Sequence, residues 1–276
     1  MESLLQDLRY GLRMMVRNRG FTAVAVIILA IGIGSTTAVF SVVDRILFRN
    51  LPYPEDDRLV SLGVVAPIAP QEFLFPETYF KWREHQTPFD AITTWSGIID
   101  CDLNDQNPIR ISCAQVESTF LPTLGIQPII GRNFTREEDQ PNVPKVGLLS
   151  YGLWRSRFGA DSGVVGKTIP LDGKPVMVVG VLPPDFELPT LAQSDLLIPQ
   201  KLNEKTERTG RFLWAFARLK AGVSPPQAEA ALYPLFQQSL DFAPPEARKE
   251  IQLRVRSLRD RQVHDVRLAS WICLAP

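Results

Sequence analysis

The sequence predicts an α+β domain standing behind a single apolar helix near the N-terminus. Three observations predict it. The 24 residues from Gly20 to Val43 carry no charge. Beyond them, short apolar runs of strand length mix with capped helical stretches in no strict alternation. Asp172-Gly173 separates two apolar runs, a strong hairpin signal because glycine tolerates the positive φ such turns need.

The uncharged run comes first. A helix rises about 1.5 Å per residue, so the run can cross a hydrocarbon core of roughly 30 Å. We place the transmembrane helix at residues 20–48. Gly32, Gly34, Ser35, Thr36 and Thr37 lie in its second half. Small residues there either admit a neighbouring helix or merely loosen a lone one. Arg9, Arg13, Arg17 and Arg19 precede the run, and Asp44, Arg45 and Arg49 follow it. The basic excess predicts a cytoplasmic N-terminus. A cleaved signal peptide has a shorter apolar core and a small-x-small cleavage site; this run is longer, with no Ala-x-Ala after it, so the reading is an uncleaved anchor. Within residues 1–19, Leu4, Leu5, Leu8, Leu12, Met15 and Val16 recur at helical spacing beside the row Arg9, Arg13, Arg17. That pattern fits a cytoplasmic amphipathic helix in the headgroup layer, or a plain extension of the span.

Pro52 and Pro54 stop the helix. Leu59–Val65 then reads as a strand, Pro76–Gln86 as a helix, and Ala91–Ile99 and Ile109–Val116 as strands. Ser118 is the expected cap of a short helix ending at Gly125. Lys145–Leu149 reads as a strand. Ser150 caps the helix after it, which Gly159 ends. Ile169–Leu171 and Val176–Val181 flank the Asp-Gly turn, and Leu196–Pro199 and Phe212–Leu219 are further strands. Ser224-Pro-Pro-Gln227 starts a helix to about Leu240: a serine cap, proline at the first helical position and glutamine at the third. Ile251–Leu258 is the last strand.

Composition excludes more chemistry than it supports. With 30 basic and 30 acidic side chains the formal charge is zero, which argues against a general nucleic-acid binder. The three cysteines and two histidines show no common zinc spacing. Cys101 and Cys113 flank a turn-like stretch, Asn104–Pro108, and are read as half-buried free thiols, with a disulfide as the alternative in an oxidising compartment. Cys273 is read as apolar filler. Gly166-Lys167-Thr168 imitates the end of a phosphate loop, but the required earlier glycine falls on Asp161, with Gly159 and Gly163 out of register. The segment also leads into a hairpin rather than a helix. No Gly-x-Ser-x-Gly elbow occurs, and neither His85 nor His264 belongs to a nucleophile constellation; His264 beside Asp265 reads as a surface pair. Glu55-Asp56-Asp57 and Glu137-Glu138-Asp139 read as solvated loops. The expectation is therefore no enzyme, with no catalytic, cofactor-binding or metal residue and no cofactor.

Several segments together resemble one family. QDLRYGLRMMVRNRGFTAVAVIILAIGIGSTTAVFSVVD resembles the first helix of MacB/FtsX-type ABC transporter permeases, and LPYPEDDRLV after it resembles their acidobacterial duplicated orphan permease branch. LGIQPIIGRNF (124–134), LSYGLWRSRFG (149–159), VVGVLPPDFELP (178–189) and ARLKAGVSPPQAEAAL (217–232) follow in the family's order and extend the match over nearly the whole chain. The resemblance implies a MacB-like periplasmic core domain, a βαβ-rich subdomain plus a mostly β subdomain, at residues 49–262. It also implies a bacterial inner-membrane location and a role as permease component. Its implied partners are an ABC ATPase, further permease helices supplied elsewhere and an extracytoplasmic adaptor protein; membrane lipid is expected from the apolar run, and no nucleic acid from the zero net charge. Family members continue into three more membrane helices. VRLASWICLAP, in residues 263–276, is read as the truncated start of a second one. The alternatives are a membrane-tethered extracytoplasmic binding or scaffold module without transport role, and a non-functional permease fragment.

Overall fold

The computed structural model describes residues 13, 17–47, 51–67, 69–85, 87–105, 107–202, 212–240 and 244–262. Most of the amphipathic reading of residues 1–19, all of 263–276, and with them His264 and Cys273, lie outside the described residues. The chain separates into two compact units, one carrying the apolar helix and the other spanning Asn50–Asp265.

The apolar helix, α1, runs Arg19–Leu47, 29 residues. Its Arg19–Ala38 part is long and apolar enough to cross a membrane and has no side chain shielded by protein. Phe21, Ile28, Leu29, Ile31 and Ile33 are all exposed. Ser35 donates to the Ile31 carbonyl at 2.5 Å, and Thr36 to the Gly32 carbonyl at 2.8 Å. Such back-bonding satisfies polar groups that a hydrocarbon environment would penalise.

Among the described residues of the second unit, eleven strands form one sheet. These are β1 (Leu59–Ala66), β2 (Ala69–Phe73), β3 (Phe89–Leu103), β4 (Ile109–Val116), β5 (Ile130–Gly131), β6 (Lys145–Leu149), β7 (Thr168–Leu171), β8 (Lys174–Val181), β9 (Leu196–Pro199), β10 (Trp214–Leu219) and β11 (Gln252–Ser257). The order is β11-β1-β10-β3-β4-β9-β6-β8-β5, with β2 on β1 and β7 on β8 and β3. Most pairs are antiparallel. The exceptions are β4 with β9, and β6 with β8, which is reached through a helix. Helices α2 (Pro76–Glu84), α3 (Phe120–Leu124), α4 (Tyr151–Phe158) and α5 (Pro225–Ser239) complete the α+β fold.

Strand β1 is buried along almost its whole length. Its alternate residues explain why. Val60, Leu62 and Val64 join one apolar cluster with Tyr79 and Trp82 of α2 and Leu232 and Phe236 of α5. Leu59 points the other way, into a second cluster with Trp95, Phe120, Phe216 and Leu258. Period-two alternation thus feeds two cores on opposite faces of one strand. A third cluster joins the β3–β4 hairpin to Trp154 of α4 and to β7 and β8.

Local signals set several element ends. The Ser150 hydroxyl accepts from the Leu153 N–H at 3.1 Å, and Gly159 ends α4 in the left-handed region. Asp172 and Gly173 have φ of 49° and 70°, the two positive values that a tight I′ hairpin uses. The Ser224 N–H donates to the Gln227 side chain at 2.9 Å at the start of α5.

Three readings need correction. Ser118 does not cap α3: the cap position is Thr119, without a side-chain bond, and the Ser118 N–H instead donates to Asp139 at 2.7 Å. The strand expected at Ala91–Ile99 is one long strand continuing to Leu103. Cys101 and Cys113 are not free thiols but a disulfide, with Cα atoms 6.1 Å apart. They are diagonal rather than opposite neighbours, since Cys101 faces Ile111 and Cys113 faces Ile99. Both are fully buried in the third cluster, where a thiol pair at bonding distance is held with little freedom.

Candidate functional site

Three of the segments that resemble the family, around Tyr53, Leu124–Phe134 and Leu182–Leu188, meet in the second apolar cluster, where the chain enters the folded unit. Leu51, Tyr53 and Leu59 on the way in, and Leu258 on the way out, share the second apolar cluster with Phe186 and Leu188. The Tyr53 hydroxyl, buried, donates to the Glu187 carbonyl at 2.5 Å. The Gln262 side-chain amide donates to the Pro189 carbonyl at 2.8 Å. The loop that follows β8, through the Glu187 and Pro189 carbonyls, therefore bonds both ends of the domain. Loss of water raises the Tyr53 hydroxyl well above its usual range, so it stays a donor.

In the segment Leu51–Arg58, Glu55 and Asp57 are exposed, as the solvated reading expects, and two of its carboxylates also bond the chain. The Asp56 carboxylate accepts from the Leu51 N–H at 3.0 Å. Glu55, at φ 51°, receives both Arg58 and Arg218, at 2.5 and 3.4 Å. Arg58 also bonds Asp90 and the Leu219 carbonyl, and Arg218 reaches the Thr123 and Pro54 carbonyls. These bonds tie the incoming chain to β10 and α3.

Two carboxylates are buried among cations. Glu72 on β2, with its side chain wholly inaccessible, meets Arg256 at 2.5 Å, Arg261 at 3.5 Å and Arg254 at 3.8 Å. Arg261 also stands over the Phe216 ring, 5.2 Å from its centre. The outgoing chain is thereby locked to β2. A buried carboxylate without its cations would cost several kcal/mol, roughly 3–5. Glu117, following β4, accepts from Tyr79 and, at 3.0 Å, from Arg83 on α2, and from the Thr94 N–H at 3.2 Å. Burial raises its carboxyl above the ordinary range, with the Tyr79 and Arg83 contacts opposing and the Asp139 charge adding.

The second acidic run departs from its solvated reading. Asp139 is buried and accepts from the Ser118 and Lys201 N–H groups at 2.7 and 2.8 Å. Glu138 takes two bonds from Arg132, at 2.6 and 2.8 Å. Sequence reasoning missed both because their partners are distant or lie in the backbone. The phosphate-loop imitation sits on a turn. Gly166 has φ 88°, Lys167 pairs with Asp161 at 2.8 Å, and Thr168 opens β7. No row of N–H groups converges there at a helix start. His85 is exposed, with Nδ1 3.0 Å from the Lys81 carbonyl. Among the described residues, no group of three or more His, Cys, Asp or Glu is placed to hold a metal ion.

The arrangement holds the entry and exit segments of the folded unit against its core. The sequence matches the family described as MacB-like periplasmic core domain over residues 22–235. Among curated proteins none matches. The extracellular domain of the noncanonic ABC-type transporter YknZ from Gram-positive bacteria is 15% identical, with 71% of this chain and 98% of that chain covered and a TM-score of 0.51. The periplasmic region of MacB from Actinobacillus actinomycetemcomitans is 12% identical, with 79% and 94% covered and a TM-score of 0.51. At these identities the likeness speaks for the fold. With the match reaching from inside α1 to α5, this chain belongs to the family of MacB-like periplasmic core domains.

Proposed function

We propose that this chain is a permease component of an ABC-type system in the bacterial inner membrane. It is anchored by α1 with its N-terminus in the cytoplasm, and residues 49–262 lie outside. The observation that carries the reading is the family match, which begins within the apolar helix and runs through the folded unit. An ATPase partner supplies the energy, further permease helices come from elsewhere, and an adaptor protein meets the outer domain. Tyr53 and Gln262, holding one loop, and Glu72, holding Arg256 and Arg261, give the domain stiff attachments through which a membrane segment moves it as a body. The Cys101–Cys113 disulfide supports an oxidising location, since such bonds persist outside the cytoplasm.

The test is thiol trapping in intact cells. Cells are quenched in acid, denatured and alkylated before any reductant is added. Cys101 and Cys113 are expected to resist alkylation until reduction. Complete alkylation of both without reductant overturns the external placement.

A further inference from the structure

Strand β11 ends the sheet. Among the described residues it pairs with β1 alone. Helix α5 packs over its apolar face, and at its other edge the Val255 N–H, turned away from β1, is met at 2.9 Å by the Glu229 carboxylate of that helix. A carboxylate reaching around to a strand edge occupies the bond that another strand would make. Beside it lies an open groove of about 460 Å³ between α5 and β11, whose lining includes Tyr233, Phe236, Arg248 and Lys249. Tyr233 is 54% exposed.

The two faces of β11 differ. Leu253 and Val255 turn toward the apolar cluster beneath α5. Arg254 and Arg256 turn to the opposite face, where both approach Glu72. Arg254 is partly exposed, and Glu72 lies 3.8 Å from it, too far for a hydrogen bond. On this face Arg254 is the partly exposed cation, while Arg256 and Glu72 beside it are shielded from solvent.

We propose that the β11 edge is a docking site for an extended segment of a partner protein in which carboxylates alternate with apolar side chains. The segment adds a strand: a backbone carbonyl takes the Val255 N–H from Glu229. Its apolar side chains enter the groove against Tyr233 and Phe236, and its carboxylates meet Arg254 on the other face. A second copy of this chain does not fit. Antiparallel pairing of two β11 edges about the strand centre sets Arg254 against Arg254 or Arg256, and like charges directly opposite are destabilising. The inference concerns the folded unit and is independent of the transport reading.

The test uses the full chain in detergent and a fluorescent eight-residue peptide of alternating Glu and Val, read by anisotropy. Three controls accompany it: a Lys/Val peptide, a peptide with the same Glu and Val in blocks, and a Glu/Val peptide N-methylated at alternate residues in either phase. The alternating Glu/Val peptide is expected to bind at least about tenfold tighter than each control except one N-methyl phase, whose methylated edge faces away from β11 and whose N–H edge faces it. Glu229→Ala is expected to tighten it, and Arg254→Glu to weaken it by about tenfold while raising Lys/Val binding. Circular dichroism confirms that both variants are folded. Equal binding of Glu/Val and Lys/Val peptides, indifference to N-methylation in both phases, or unchanged preference in folded Arg254→Glu overturns the proposal. So does self-association through this edge in place of peptide binding.

Discussion

Gly131 on β5 and Gly180 on β8 stand directly opposite each other, and neither position has room for a side chain. A Cβ on Gly131 would lie 2.2 Å from the Val179 carbonyl oxygen, and one on Gly180 would lie 2.7 Å from the Ile130 oxygen. Gly131 also has φ 81°. Both glycines fall in segments that resemble the family, so part of that resemblance is a close backbone crossing that holds the last strand of the sheet.

Gly131→Ala therefore combines backbone strain with a clash against immovable backbone. It should cost about 3 kcal/mol or more. Gly173→Ala, at φ 70° but with open space around the new Cβ, should cost only about 1–2 kcal/mol. Urea unfolding of both variants against the parent checks the ranking. Equal losses would mean that the crossing yields more than its geometry implies.

The carboxyl of Glu117 gives a pH dependence with a definite sign. Loss of water raises it above 4.5, so the native chain holds this proton more tightly than the unfolded chain does. The resulting stability is fully present below pH 4.5 and is lost as pH rises through the raised native value. Glu117→Gln removes that linkage. The stability gap, parent minus variant, should be widest near pH 4 and narrow toward about pH 7.5. Unfolding curves at the two pH values measure it, and a gap that widens with pH would contradict the assignment.

Much of the fold was legible where one short segment carries its own instruction. Ser150 caps α4 and Asp172-Gly173 turns a hairpin because the determining atoms are a few residues apart. What was not legible depends on distant partners. Ala69–Phe73 contains Pro70 and Glu72 and does not read as a strand; Glu72 is tolerable there only because Arg254, Arg256 and Arg261 arrive from the far end of the chain. Ser118 looks like a cap, but Asp139 takes its N–H. The disulfide depends on a diagonal register between β3 and β4 that the spacing of Cys101 and Cys113 does not fix. The grip on both chain ends was hidden for the same reason, since Tyr53 and Gln262 bond backbone carbonyls far away in sequence.

Nucleotide should not bind. Lys167 offers charge but no cradle, because its neighbours lead into β7 and its ammonium is already paired with Asp161. Calorimetric titration with Mg-ATP to about 1 mM should give no binding heat, for the parent or for Lys167→Ala. Micromolar binding that disappears in the variant would contradict both the rejected motif and the view that energy comes from a partner ATPase.

The central claim is that α1 anchors the chain with its N-terminus inside and its folded unit outside. It is tested most directly with a reporter that is active only in the cytoplasm, fused either to the N-terminus or after Gln262. The account predicts activity from the N-terminal fusion and silence from the fusion after Gln262. Strong activity from the latter, with the full-length fusion present in the membrane fraction, would contradict it.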